Sequence, residues 1–145
     1  MVKLLVVDDS TKRRQHTIGT ALSIGFAKDD ITEAASYEEA MQAIEKPGQK
    51  FDMAVVDMYL TDPPADTPEG WTVIQRLNQK DNKCRIIGLS ASTEINLAAG
   101  ALRRGACDFV STGSPHINGS ALLGQRMELW KIAVELHKRA QACVS

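Results

Sequence analysis

The chain has 145 residues, 43% of them apolar, which suits one compact domain over 1–145 and leaves no room for a second independent one. Seventeen basic and eighteen acidic side chains nearly cancel, so no global field would draw the protein onto nucleic acid or an anionic membrane. The apolar stretch at the N-terminus ends after Val7, too short for a signal peptide or a spanning helix, and the expectation is a soluble, cytoplasmic protein.

The first predicted strand, Lys3 to Asp8, precedes a helix marked by Ile18, Ala21 and Leu22. The second strand, Ile31 to Ala35, leads to a helix with a capping box at Ser36 and Glu39, an apolar stripe of Tyr37, Ala40, Met41 and Ile44, and a stop at Pro47-Gly48. The third strand, Phe51 to Met58, runs into a loop from Thr61 to Glu69 that holds Pro63, Pro64 and Pro68. The helix after it carries Gly70, Val73, Ile74 and Leu77. The fourth strand, Cys84 to Leu89, is followed by a helix with the expected buried stripe Ile95, Ala98, Ala99 and Leu102, closed by Arg103, Arg104 and Gly105. A fifth strand, Cys107 to Ser111, and a last helix from about Ser120 to Ala140 complete the pattern.

Two apolar stripes run along that last helix: Leu123, Met127, Trp130 and Val134, and Leu122, Leu129, Ala133 and Leu136. Together they exceed what one sheet-facing side needs, so part of this surface is expected to stay exposed. Cys84, Cys107 and Cys143 lack the spacing of a zinc site and read as reduced thiols.

Leu4 to Val7, Val55 to Val56 and Ile86 to Leu89 are continuously apolar, so both faces of those strands should be covered. Five βα units with short connections predict a doubly wound α/β domain with helices on both faces, and the expected arrangement is the flavodoxin-like one, three layers α/β/α with strand order 2-1-3-4-5. Its chemistry should lie at the carboxyl ends of the strands.

In that order Asp8 and Asp9, closing the first strand, neighbour Asp57, closing the third. Clustered carboxylates repel and raise one another's pKa unless a cation intervenes, which argues for a hard divalent ion, Mg²⁺ before others. An ion held by few carboxylates keeps positions open for phosphate oxygens, and Asp57 could then attack a phosphorus centre. The competing reading makes Asp8 and Asp9 helix caps and Asp57 an ordinary strand end. Ser90 brings a hydroxyl to the same edge, able to donate to a phosphoryl oxygen or to cap the next helix, and the small Ala91 leaves space for the group.

Other chemistries fit less well. An aspartyl-phosphate hydrolase needs a second carboxylate two residues beyond the nucleophile, where Tyr59 stands. A dinucleotide or P-loop site needs glycines after the first strand, where Ser10, Thr11 and Lys12 stand.

Taken together, these residues resemble the receiver domain of bacterial two-component response regulators over essentially the whole chain. The resemblance implies that Asp8 and Asp9 are a metal-binding pair, that Asp57 is a phosphoacceptor, and that the Tyr59 backbone carbonyl is a further Mg²⁺ ligand. It matches Arg14 and Gly25 to common first-helix positions, Gly105-Ala106 to the step before the fifth strand, and Ser90-Ala91 to a phosphate-binding step. Ser90 and Phe109 would form the switch pair, though core packing is the competing reading of Phe109.

The implied partners are a sensor histidine kinase or phosphotransfer protein upstream and a protein target or output domain downstream. No direct nucleic acid contact and no membrane are implied, and the role is signalling rather than enzymatic. A homodimer through the last helix is a further implied contact, with Trp130 as its candidate residue and core packing as the competing reading.

Two departures stand out. Thr112 occupies the slot of the family's lysine and brings no charge, and the loop from Thr61 to Glu69 is longer than usual. Tyr59 and Ser92 fall at positions that tune water access to the aspartyl phosphate. Lys83 and Arg85 start the fourth strand, at the far edge from the site. The missing lysine opens an alternative, a phosphorylation-independent pseudo-receiver that binds a partner constitutively.

Overall fold

The computed structural model describes residues 1–113 and 118–144. Its elements alternate: β1 (Leu4–Val7), α1 (Thr11–Ser23), β2 (Ile31–Ala34), α2 (Tyr37–Glu45), β3 (Met53–Asp57), α3 (Glu69–Lys80), β4 (Arg85–Ser90), α4 (Ile95–Arg103), β5 (Asp108–Ser111) and α5 (Gly119–Val144). A single 3₁₀ turn, Lys28–Asp30, leads into β2. The strands pair in parallel in the order β2-β1-β3-β4-β5, as the sequence pattern predicts.

Each continuous apolar run is divided by the pleat between two cores. Leu5, Val7, Ala54, Val56 and Ile86 join Ala40, Ile44, Val73, Ile74, Leu77, Leu97 and Ala101, so α2, α3 and α4 cover one face. Leu4, Val6, Met53, Val55, Ile87 and Leu89 meet Ala21, Leu123, Met127 and Val134 on the face covered by α1 and α5. Every fully buried aliphatic side chain of this kind contributes roughly 1.5–3 kcal/mol of transfer free energy.

Caps fix where the helices begin. The Ser10 hydroxyl accepts the Arg13 N–H at 3.3 Å, and the Ser36 hydroxyl accepts the Glu39 N–H at 3.1 Å. Glu39 reaches back to the Ala35 N–H at 3.2 Å, one residue before the cap, a variant of the reciprocal box. Gly70, in the first turn of α3, packs so tightly on the end of β3 that a Cβ would lie 2.3 Å from the Asp57 carbonyl oxygen. Only glycine lets this helix approach the strand that carries Asp57.

The expected stripe on α4 is rotated in the structure. Leu97, Gly100 and Ala101 are buried, whereas Ile95 is 81% exposed and Leu102 is half exposed. The cause is Trp71 of α3, whose ring lies where a Gly100 side chain would be and whose Nε1 donates to the Leu97 carbonyl at 3.1 Å. Arg104 stacks 4.2 Å from the centre of the same ring, closing a lock between α3 and α4.

On α5 the stripe Leu123, Met127 and Val134 is buried, and Leu129, Ile132 and Leu136 are exposed. Trp130 is half buried against the core, donates Nε1–H to Asp108 at 3.0 Å and carries Arg85 5.7 Å from its ring centre. It therefore has internal partners, one of them the Arg85 guanidinium over its ring. The thiols of Cys84 and Cys107 are pushed up by burial to about 12 and about 11, so both stay protonated.

Candidate functional site

Asp57 is the last residue of β3, and Asp8 follows β1 directly, so the parallel pairing of these two strands sets the two carboxyl groups side by side. Asp9 completes a cluster in which one carboxylate oxygen from each residue lies within 4.8 Å of the others. Asp8 and Asp57 are buried and Asp9 is partly exposed. Capping does not explain the pair, because Ser10 caps α1. Asp8 instead accepts the Ser10 N–H at 2.9 Å through Oδ1, which fixes its carboxylate toward the crevice.

The buried Arg14 braces this corner. Its Nη1 donates to the Asp8 carbonyl at 2.9 Å and its Nε to Glu33 of β2 at 2.8 Å, which ties the β1 end to the neighbouring strand.

Arg13, one residue earlier, points to the acids. Its Nη2 donates to Asp8 at 3.2 Å, to Asp9 at 3.3 Å and to Asp57 at 3.2 Å, and its Nε reaches the other oxygen of Asp8 at 3.4 Å. Sequence reasoning did not single this residue out. The available signal was its place four residues after Asp9, one helical turn on, which puts a guanidinium over the cluster.

Even so, the cluster is short of positive charge. Burial and the neighbouring Asp8 push the Asp57 carboxyl up from 3.8 to about 7, against the lowering effect of Arg13. An all-oxygen set of crowded carboxylates, one of them resisting ionisation, fits a hard divalent cation. The residues present thus suit Mg²⁺.

Two clefts flank Asp57. One, of about 680 Å³, is lined by Asp9, Arg13, Asp57, Tyr59, Ser90, Ala91 and Ser92, and the long loop adds Thr61, Asp62 and Pro64 to its wall. The other, of about 600 Å³, opens between α1 and α5 and is lined by Arg13, Asp57, Leu89, Ala91, Thr112 and Leu123 among others. Ser90 closes β4 and is buried, and its Oγ accepts the Ser92 N–H at 3.0 Å, while its own proton has no acceptor among the described residues.

Thr112 follows β5 and is exposed. Its backbone N–H bonds the Ser90 carbonyl at 2.8 Å and its hydroxyl leans on the same oxygen at 3.4 Å. Ser111 adds a hydrogen bond to the Ser92 carbonyl at 2.9 Å, so the end of β5 is stapled to the end of β4 and to the loop that follows Ser90. Phe109, opposite Gly88 in the β4–β5 register, lays its ring over that glycine and joins the α2–α3–α4 core. Lys83 and Arg85 lie at the start of β4, away from this edge.

Comparison with solved structures gives the same architecture. A CheY-like response regulator receiver domain protein from Methanospirillum hungatei superposes with a TM-score of 0.71 at 20% identity, covering 94% of this chain and 98% of that one. A response regulator from Burkholderia pseudomallei, whose structure contains a phosphorylated aspartic acid, a calcium ion and citrate, gives 0.66 at 22% identity over 93% of this chain and 72% of that one. NtrX from Brucella abortus gives 0.75 at 20% identity, with 99% of this chain matched to 30% of the longer protein. No curated protein matches the sequence. The profile of the response regulator receiver domain matches residues 4–114, and the chain therefore belongs to the receiver domain family of response regulators.

Proposed function

We propose that this receiver domain is a phosphoacceptor in two-component signalling, modified on Asp57. The observation that carries the reading is the convergence of Asp8, Asp9 and Asp57 at the mouth of an open cleft beside the buried Ser90 hydroxyl, whose proton has no acceptor among the described residues. A carboxylate oxygen of Asp57 attacks the phosphorus of a phosphohistidine on a sensor kinase or phosphotransfer protein. The O–P bond forms as the P–N bond breaks, and the electron pair of that bond returns to the imidazole.

Ser90 donates its hydroxyl proton to a phosphoryl oxygen, and the exposed Ala91 leaves room beside it. Asp8, Asp9 and Asp57, with the Tyr59 backbone carbonyl, would hold Mg²⁺, which supplies neutralising charge to the carboxylates and the incoming phosphoryl group. Movement of Ser90 toward that group draws on Phe109, the other half of the switch pair. The long loop, through Thr61, Asp62 and Pro64, shapes access to Asp57. No helix among the described residues is long and apolar enough to cross a membrane, consistent with a cytoplasmic module. The downstream side is a protein target or output domain, and Leu129, Ile132 and Leu136 offer the homodimer contact, which sedimentation velocity reads directly.

Thr112 favours a second reading. With the lysine slot uncharged and its hydroxyl turned to the Ser90 carbonyl, the domain could act as a pseudo-receiver with a constitutive binding face. Incubation with Mg²⁺ and a small phosphodonor, followed by intact-mass measurement, separates the two. The phosphoacceptor reading expects a phosphoryl-sized gain in the wild type and none in Asp57→Asn. A wild type that gains nothing selects the pseudo-receiver.

A further inference from the structure

The charge that Thr112 fails to supply has a source elsewhere in the site. We propose that Arg13 is the tethered cation of this receiver: it holds Asp8, Asp9 and Asp57 together in the metal-free protein and pairs with the phosphoryl group once Asp57 is modified. The inference rests on the phosphoacceptor reading of Asp57.

The geometry supplies the first half. A single guanidinium nitrogen lies 3.2, 3.3 and 3.2 Å from oxygens of three different carboxylates. Three such contacts, shared between the two N–H groups of one nitrogen, are not a surface ion pair, because two of the acceptors are buried and would otherwise face one another uncompensated. The side chain that makes them is 51% exposed, anchored at the first turn of α1 with its far end over the acids. It can leave this position without unpacking any core residue, since the contacts of α1 with the hydrophobic core come from Ile18 and Ala21 further along the helix.

The second half follows from position and charge. Arg13 lines both clefts beside Asp57, including the one between α1 and α5 in which Thr112 stands. A dianionic phosphoryl group arriving among Asp8 and Asp9 overwhelms the two charges of one divalent ion. A guanidinium on a flexible stem, with five donors and a permanent charge, is suited to take up the excess through paired hydrogen bonds to phosphoryl oxygens. The same side chain thus competes with the ion for the carboxylates before modification and cooperates with it afterwards.

Those two roles predict opposite changes in one variant. In Arg13→Met, isothermal titration should show Mg²⁺ binding tighter than in the wild type by roughly fivefold to tenfold, since a competing cation is gone. The fraction phosphorylated by a small phosphodonor at saturating Mg²⁺ should fall by roughly tenfold and recover in Arg13→Lys. Lys28→Met, at an exposed site in the 3₁₀ turn, controls for net charge and should change neither value. A thermal melt of each variant confirms folding, and Mg²⁺ binding by Arg13→Met is itself evidence of an intact site. Unchanged or weaker Mg²⁺ binding in Arg13→Met overturns the proposal, as does wild-type labelling of that variant. Labelling of the wild type and Arg13→Met alike removes only the role of Arg13, whereas failure to label the wild type removes the phosphoacceptor reading and this proposal with it.

Discussion

Asp57 sits among Asp8, Asp9 and Arg13 in a setting that opposes its ionisation, and the direction of the resulting pH dependence follows from its raised pKa. The folded protein holds a proton on this carboxyl up to about pH 7, whereas the unfolded chain releases it near 3.8. Between those values the native state binds more protons, so this group's contribution to stability declines as pH rises through the window, and above it the ionised carboxylate opposes folding. Asp57→Asn should therefore stabilise the metal-free protein at pH 8 by roughly 2–4 kcal/mol and by little at pH 4, as read from urea unfolding at the two values. A stability gain that is equal at both pH values would contradict this account. The three acids were legible from the sequence because each stands where an apolar strand stops. Arg13 was not, because in the run Lys12-Arg13-Arg14 nothing but the helical phase distinguishes the residue over the acids from the one braced on Glu33.

At the scale of elements, β1, β3 and β4 were readable because residues on both pleat faces are apolar, a pattern that only a doubly covered sheet requires. The α4 face was not, since its contact with α3 is built on an absent side chain: Gly100 receives the Trp71 ring, and no hydrophobicity pattern weights a glycine as a core position. The last helix shows the reverse case, a surplus of apolar residues that the structure sorts into one buried and one exposed row. Met127→Ala should cost roughly 2–5 kcal/mol in urea unfolding, because Met127 is fully buried among the α1–α5 core residues. Leu136→Ala, at a position 57% exposed, should stay within about 0.5 kcal/mol of the wild type. Equal costs at the two positions would mean that α5 is rotated from the orientation described.

For the molecule as a whole, the strand order brings the ends of β1, β3, β4 and β5 to one edge, so residues far apart in sequence form a single polar mouth on an otherwise apolar scaffold. The alternating α/β class was legible because spacing and periodicity specify it, and the strand order because a flavodoxin-like arrangement supplies it, while the state of the site depends on side-chain directions that none of these encodes. The proposed function requires three carboxylates to share one hard cation. Isothermal titration of Mg²⁺ into the wild type, Asp8→Asn and Asp57→Asn at pH 8 and pH 6 tests this most directly. The expected result is one ion per wild-type chain at pH 8, bound more weakly at pH 6 because Asp57 must first lose its proton, and weakened roughly tenfold or more by either substitution. Absence of binding to the wild type, or affinities that neither substitution changes, would contradict it.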